Sequence, residues 1–165
     1  MKQSLELENK VLTNDQLVLQ LKRWELLSKK VVFTNGVFDI LHVGHLKLLM
    51  QAASFADILV VGINSDNSVK KLKGNNRPLN QQSARAILVA SLVMVDAVVI
   101  FDEETPLDLI QKIKPAVLVK GGDYTIDKIV GAVDVTGGGG EVKIIPLEPG
   151  FSTTRMIEMM KNETG

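Results

Sequence analysis

Thr34-Asn35-Gly36-Val37-Phe38-Asp39-Ile40-Leu41-His42-Val43-Gly44-His45 follows the apolar run Val31-Val32-Phe33 and precedes a helical stretch from Leu46 to Phe55. The apolar run reads as a short buried strand. The stretch after it therefore occupies a strand-to-helix turn, where parallel α/β folds place their ligands. His42 and His45 stand three residues apart. A helix starting near His42 puts both imidazoles on one face of its first turn. Free N–H groups and the positive dipole end favour an anion there. Gly36 and Gly44 remove side chains where a phosphate must approach backbone. Two imidazoles beside an anion hole suit phosphate chemistry better than metal binding, so no metal ligands are assigned. The plainer reading is a structural turn with two capping or core histidines. Against it, these are the only two histidines in the chain and both fall in this stretch.

The rest of the 165-residue chain is long enough for one domain with a sizeable core. A 45% hydrophobic content places it among globular rather than disordered chains. Lys plus Arg equals Asp plus Glu at 19 each, so no global field steers it to nucleic acid or an anionic membrane. The absence of cysteine excludes disulfides and thiolate metal sites and is compatible with a reducing compartment. Met1 to Glu8 lacks the apolar core of a signal peptide, and no apolar run approaches a membrane span. The expectation is a soluble cytoplasmic protein without nucleic-acid or membrane partners.

In chain order, residues 1–12 read as a loosely held arm and residues 13–165 as a single domain. Thr13-Asn14-Asp15-Gln16 has a capping-box pattern. Leu17, Leu21, Trp24 and Leu27 then share one face of a helix to about Ser28, packed over the sheet or at a homodimer contact. On the helix after the histidines, Leu46, Leu49, Met50 and Ala53 can form the buried face. Ile58 to Ile63 is a second strand, with the continuous apolarity of a parallel sheet covered on both sides. Asn64 to Gly74 opens with a helix N-cap signal and carries the densest basic run, Lys70-Lys71-Leu72-Lys73. That run is either a solvated loop or a phosphate-binding loop. Asn75 to Gln82 reads as an exposed flap.

Ser83 to Val93 predicts a helix with Ala84, Ile87 and Leu88 facing inward and Arg85 on a different side. Val95 to Phe101 contains a third strand, and Asp102-Glu103-Glu104 is an acidic turn opening a short helix over Leu107 to Lys112. Ala116 to Lys120 is a fourth strand running into Gly121-Gly122-Asp123-Tyr124, a loop suited to bringing backbone to a ligand. Ile129 to Thr136 reads as a short helix or irregular segment, and Gly137 to Gly140 as a flexible turn. Val142 to Leu147 is a fifth strand. Ser152-Thr153-Thr154 opens a last helix, either as caps alone or as a second phosphate clamp. The alternation predicts an α/β fold, Rossmann-like and doubly wound, with a five-stranded, mainly parallel sheet.

Gly36-Val37-Phe38-Asp39 followed by His42-Val43-Gly44-His45 resembles the signature of the HxGH nucleotidyltransferases, which include the glycerol-3-phosphate and choline-phosphate cytidylyltransferases. Matches elsewhere bring it closest to the heptose 1-phosphate adenylyltransferases of ADP-heptose synthesis. They include Gly62-Ile63-Asn64-Ser65-Asp66, Lys73-Gly74 with Arg77-Pro78-Leu79, Val119-Lys120-Gly121-Gly122-Asp123-Tyr124, and Gly150 with Ser152-Thr153-Thr154. Compared with cytidylyltransferases, Val93 and the Leu147-Glu148-Pro149 stretch stand where arginines are found. The four-glycine run is longer than in the heptose enzymes.

The resemblance implies transfer of AMP from ATP to a sugar 1-phosphate. Mg²⁺ would be carried by the ATP phosphates, and a homodimer is common in such enzymes. It implies catalytic roles for His42, His45 and Lys73. Nucleotide contacts fall to Asn35, Gly36, Phe38, Asp39, Gly44, Arg85, Gly121, Asp123, Ser152, Thr153 and Thr154, with Arg85 reaching the pyrophosphate and Asp39 near metal or substrate. Substrate contacts fall to Asp66, Lys70, Arg77 and Lys120.

Overall fold

The computed structural model describes residues 7–146. Its strands are Val11–Leu12 (β1), Val31–Gly36 (β2), Ile58–Asn64 (β3), Ala97–Phe101 (β4), Val117–Gly121 (β5) and Glu141–Ile145 (β6). They form one sheet in the order β1-β4-β3-β2-β5-β6, and every pair is parallel. The helices are Asn14–Leu26 (α1), Val43–Ala53 (α2), Asp66–Lys73 (α3), Gln82–Ala90 (α4), Leu107–Ile113 (α5) and Ala132–Gly137 (α6). The doubly wound α/β expectation therefore holds, with six strands rather than five. The extra strand comes from the segment read as a loose arm. Val11 and Leu12 pair with Val98 and Val99, and the Lys10 ammonium donates to the Val95 carbonyl.

The sheet separates two cores because successive strand residues point to opposite faces. Val32, Leu59, Val61, Val98 and Val119 pack with Leu49 and Ala52 of α2 and Ala86, Val89 and Ala90 of α4. Val31, Phe33, Val60, Val99 and Leu118 pack with Leu17 of α1, Leu109, Ile110 and Ile113 of α5 and Val135 of α6. Burial of each such side chain contributes roughly 1.5–3 kcal/mol.

The capping box at Thr13 forms as expected, with Gln16 N–H donating to Thr13 Oγ1 and Thr13 N–H to Gln16 Oε1. Two helix faces differ from expectation. In α2 the buried positions are Leu49 and Ala52, and Met50 is exposed. In α4 the buried positions are Arg85, Ala86, Val89 and Ala90, while Leu88 is exposed. A hydrophobicity pattern treats arginine as an outward residue, so a buried guanidinium shifts the apparent face. The tetraglycine run is likewise structured. Gly137 ends α6, Gly139 has φ +84°, and a Cβ on Gly140 would meet the Pro115 carbonyl oxygen at 2.9 Å.

Chain connections run from β2 outward through β3 to β4, then cross back to β5 on the other side of β2. The strand order thus reverses between β2 and β5, and the crevice beyond their carboxyl ends is where such sheets bind ligands.

Candidate active site

The β2–α2 turn builds one wall of that crevice. Phe38 has φ +49° and is buried, and its ring folds back over Gly36. A Cβ on Gly36 would lie 3.0 Å from Phe38 Cε2, so the glycine is required by the ring two residues later. The helix begins as predicted. His42 is the N-cap of α2, its carbonyl accepts from His45 N–H at 2.9 Å, and Gly44 lies in the first turn. The His42 and His45 rings stack with centroids 3.8 Å apart and planes inclined by 21°. Phe38 tilts against His45 at 5.1 Å.

Burial depresses the His42 pKa. His45 is pushed from 6.5 to about 4, first by burial and then by the charges of His42 and Lys73, with the Ile40 backbone acting weakly in the opposite sense. The pair therefore waits neutral at pH 7, poised to gain charge when phosphate oxygens arrive. Because the folded-state pKa is the lower one, the unfolded chain takes up the proton first on acidification. The stability this contributes is complete above about pH 6.5 and is lost as pH falls towards 4. Urea unfolding between pH 7 and 4.5 should show wild type losing more stability than His45→Asn across that window.

The flap from Gly74 to Gln81 is tied to the turn by Asp39, which is only 2% exposed. Its carboxylate accepts from Arg77 Nε at 2.8 Å, Leu79 N–H at 2.9 Å and Asn80 N–H at 2.9 Å. Burial acts to raise its pKa, but these donors outweigh it and hold the carboxyl below the usual value. Asp39 thus latches the flap and has no oxygen left for a metal ion, in contrast to its expected place near metal or substrate. Arg77 keeps one buried nitrogen, Nη2, without a partner among the described residues.

Arg85 is also placed differently from expectation. Its side chain is wholly buried. It donates to the carbonyls of Asn80 (2.9 Å), Val37 (2.6 Å) and Asn64 (2.8 Å) and to Asp66 Oδ1 (2.7 Å). It clamps the turn, the end of β3 and the flap together, and it does not face the crevice as a pyrophosphate ligand would. Asp66, expected at the substrate, spends its Oδ1 on Arg85. The basic run is helical rather than a loop. Lys70 and Lys71 project into solvent from α3, while Lys73 lines the crevice and lies near enough to His45 to depress its pKa.

The other wall comes from β5 and the loop after it. A cleft of about 480 Å³ is lined by Asn35, Gly36, Lys73, Lys120, Tyr124 and Lys128, among others. Asn35 and Lys120 are brought together across the strand-order reversal, Lys120 Nζ donating to Asn35 Oδ1 at 3.4 Å. Gly121 lies at the end of β5, and Asp123 is exposed on the following loop. Ser152, Thr153 and Thr154 lie outside the described residues. Glu104 of the acidic turn also lines the cleft, as does Lys128, for which the sequence carries no signal. A larger groove of about 720 Å³ lies around the opposite, amino ends of β2 and β5. Its Lys29, Lys30, Lys112 and Lys114 cluster at the C-terminal ends of α1 and α5, where cations complement the helix dipoles.

Residues 33–159 match the cytidylyltransferase-like family. The bifunctional protein HldE of Koribacter versatilis is 54% identical over 149 residues, covering 90% of this chain and 31% of that protein. The bifunctional protein HldE of Geobacter sulfurreducens is 54% identical over 137 residues, 83% of this chain and 28% of that protein. The chain thus spans about a third of the length of these curated relatives. Among solved structures, the lipopolysaccharide core biosynthesis protein from Thermoplasma volcanium superposes with TM-score 0.58 at 28% identity, over 73% of this chain and 97% of that one. Pantoate-beta-alanine ligase from Francisella tularensis superposes with TM-score 0.62 at 17% identity, over 92% of this chain and 76% of that one, a likeness of fold alone.

Proposed function

The chain belongs to the cytidylyltransferase-like family, and from this we propose that it transfers AMP from ATP to heptose 1-phosphate, giving ADP-heptose and pyrophosphate for lipopolysaccharide core synthesis. The observation that carries nucleotidyl transfer is the stacked, neutral His42–His45 pair at the start of α2, with Lys73 beside it. The adenylyl and heptose assignments rest on the matches to HldE proteins and on the motifs around Lys73, Lys120 and Tyr124, and the similarity to the Thermoplasma lipopolysaccharide core biosynthesis protein supports the lipopolysaccharide role.

A sugar 1-phosphate oxygen attacks the α-phosphorus in line. The new P–O bond forms as the bond to the bridging oxygen breaks, and pyrophosphate departs with that electron pair. The nucleophile is already ionised near pH 7, so catalysis consists of positioning and charge stabilisation. His42 and His45 take the phosphate oxygens at the helix start, with Gly44 allowing close approach. Lys73 and the spare Arg77 Nη2 neutralise the charge that develops. Asn35, Gly36 and Phe38 shape the turn, Gly121 and Asp123 face the nucleoside, and Ser152, Thr153 and Thr154 hold the β- and γ-phosphates. Lys70, exposed on α3, is proposed to meet incoming substrate anions.

Among the described residues no group of three or more His, Asp or Glu side chains gathers to hold a metal ion. Hydrated Mg²⁺ borne on the triphosphate fits this donor set, and it supplies charge neutralisation when bound. No helix of the described residues is long and apolar enough to cross a membrane. A cytoplasmic site of action is part of this proposal.

Pyrophosphate release tests the function, with Mg²⁺ and ATP, CTP or GTP crossed against heptose 1-phosphate and glycerol 3-phosphate. Turnover confined to ATP with heptose 1-phosphate is expected. Turnover with CTP and glycerol 3-phosphate instead would replace this reading by a cytidylyltransferase one. Nucleotide binding without turnover on any acceptor would indicate a binding module.

A further inference from the structure

Lys120 is a half-buried cation. It stands at the carboxyl end of β5 on the floor of the 480 Å³ cleft. Among the described residues no carboxylate pairs with it. Its contacts are the neutral Asn35 amide oxygen at 3.4 Å and the face of the Tyr124 ring, 5.9 Å from Nζ to centroid. Burial pulls its pKa down, as happens to an ammonium losing water without gaining an anion. A charge partly withdrawn from water gains by pairing with an anion, and here the open side is the cleft.

Two anionic ligands enter the reaction, and they need separate cations. The triphosphate is gathered at His42 and His45, across Lys73. A nucleoside brings no charge of its own into the cleft beyond Lys73, whereas the acceptor brings a phosphate. The cleft therefore suits the acceptor, with its phosphate against Lys120.

Tyr124 gives the cleft its second property. Gly122 has φ +130°, and a Cβ there would strike Tyr124 Cε2 at 2.7 Å. The glycine thus exists to let the ring lie on backbone. The same device, a glycine covered by an aromatic two residues later, holds Phe38 over Gly36 on the opposite wall. Phe38 is buried and supports His45, whereas Tyr124 remains 46% exposed and lines the cleft. A rigid ring with one face on backbone and a cation near it is a flat apolar surface in an otherwise polar pocket. Glu104 and Thr105 also line the cleft and offer oxygens that accept from hydroxyl groups.

We propose that Tyr124 is the platform on which the sugar ring of the acceptor stacks, with Lys120 on its phosphate and Glu104 receiving its hydroxyls, so that this cleft selects a polyhydroxylated sugar phosphate. This rests on the nucleotidyl transfer to a sugar phosphate proposed above.

The test is steady-state kinetics of Tyr124→Ala and Tyr124→Phe with heptose 1-phosphate and ATP, together with inhibition by inorganic phosphate. Tyr124→Ala is expected to raise KM for the sugar phosphate about tenfold or more, the scale of one lost aromatic contact, and to leave KM for ATP within about twofold. Tyr124→Phe keeps the ring and stays near wild type. Phosphate touches Lys120 rather than the ring, so its Ki should be unchanged in Tyr124→Ala and strongly raised in Lys120→Gln. An unchanged KM for the sugar phosphate in Tyr124→Ala, or a rise in KM for ATP alone, overturns the platform. A wild-type protein that turns over no sugar 1-phosphate overturns the function beneath it, a result visible before any variant is made.

Discussion

His45→Ala is expected to lower kcat by about 10²–10³-fold or more, the scale for losing one preorganised contact made in the transition state. The ring is held from two sides, by stacking on His42 at 3.8 Å and by the tilted Phe38 at 5.1 Å. Little reorganisation is therefore needed when charge develops on the α-phosphate. Its depressed pKa leaves it neutral in the free protein, and the incoming phosphates favour its charged form. The effect should fall mainly on kcat, with circular dichroism and thermal unfolding showing the fold intact, because the side chain is only partly buried. Near-normal turnover in a folded His45→Ala protein would remove the histidine pair from the mechanism.

Arg85→Ala should give the largest loss of stability, about 3–5 kcal/mol, the range for removing one partner of a buried ion pair. The guanidinium is wholly buried and donates to three backbone carbonyls and to Asp66. Its loss strands these acceptors around a cavity joining the turn, β3 and the flap. Against a typical domain stability of about 5–15 kcal/mol, that is a large fraction. Urea unfolding measures it directly. Activity should fall at the same time, since the flap that carries Arg77 loses its anchor at Asn80. An unchanged unfolding midpoint with a raised KM for ATP would instead return Arg85 to the pyrophosphate contact expected from family resemblance.

The two arginines show how far sequence reasoning reached. Periodicity located the strands within a few residues and placed the helix start at His42, because apolar runs and a histidine-glycine turn are local signals. Nothing local distinguishes an arginine that meets a phosphate from one that meets carbonyls. Arg85 finds its acceptors 5, 19, 21 and 48 residues away in sequence. Asp39 is similar. Its side chain binds donors 38 to 41 residues distant, and only that closure turns a candidate metal or substrate carboxylate into a latch. The arm strand Val11–Leu12 was missed because two residues carry no periodicity. They become a strand only by pairing with Val98 and Val99.

By itself, then, the sequence determined the alternation of strands and helices, the strand-to-helix turn at Gly36 to His45, and the family to which that turn belongs. These follow from local patterns: apolar runs, a helix start and a histidine-glycine turn. Only the tertiary structure decided which polar side chains face ligand and which face the protein. The reversal of strand order between β2 and β5 brings Lys120 beside Asn35, 85 residues away, and leaves its ammonium without an anion among the described residues. The same folding saturates Arg85 and Asp39. A side chain's role depends on the acceptors within about 3 Å of it, and those are set by the packing of distant segments.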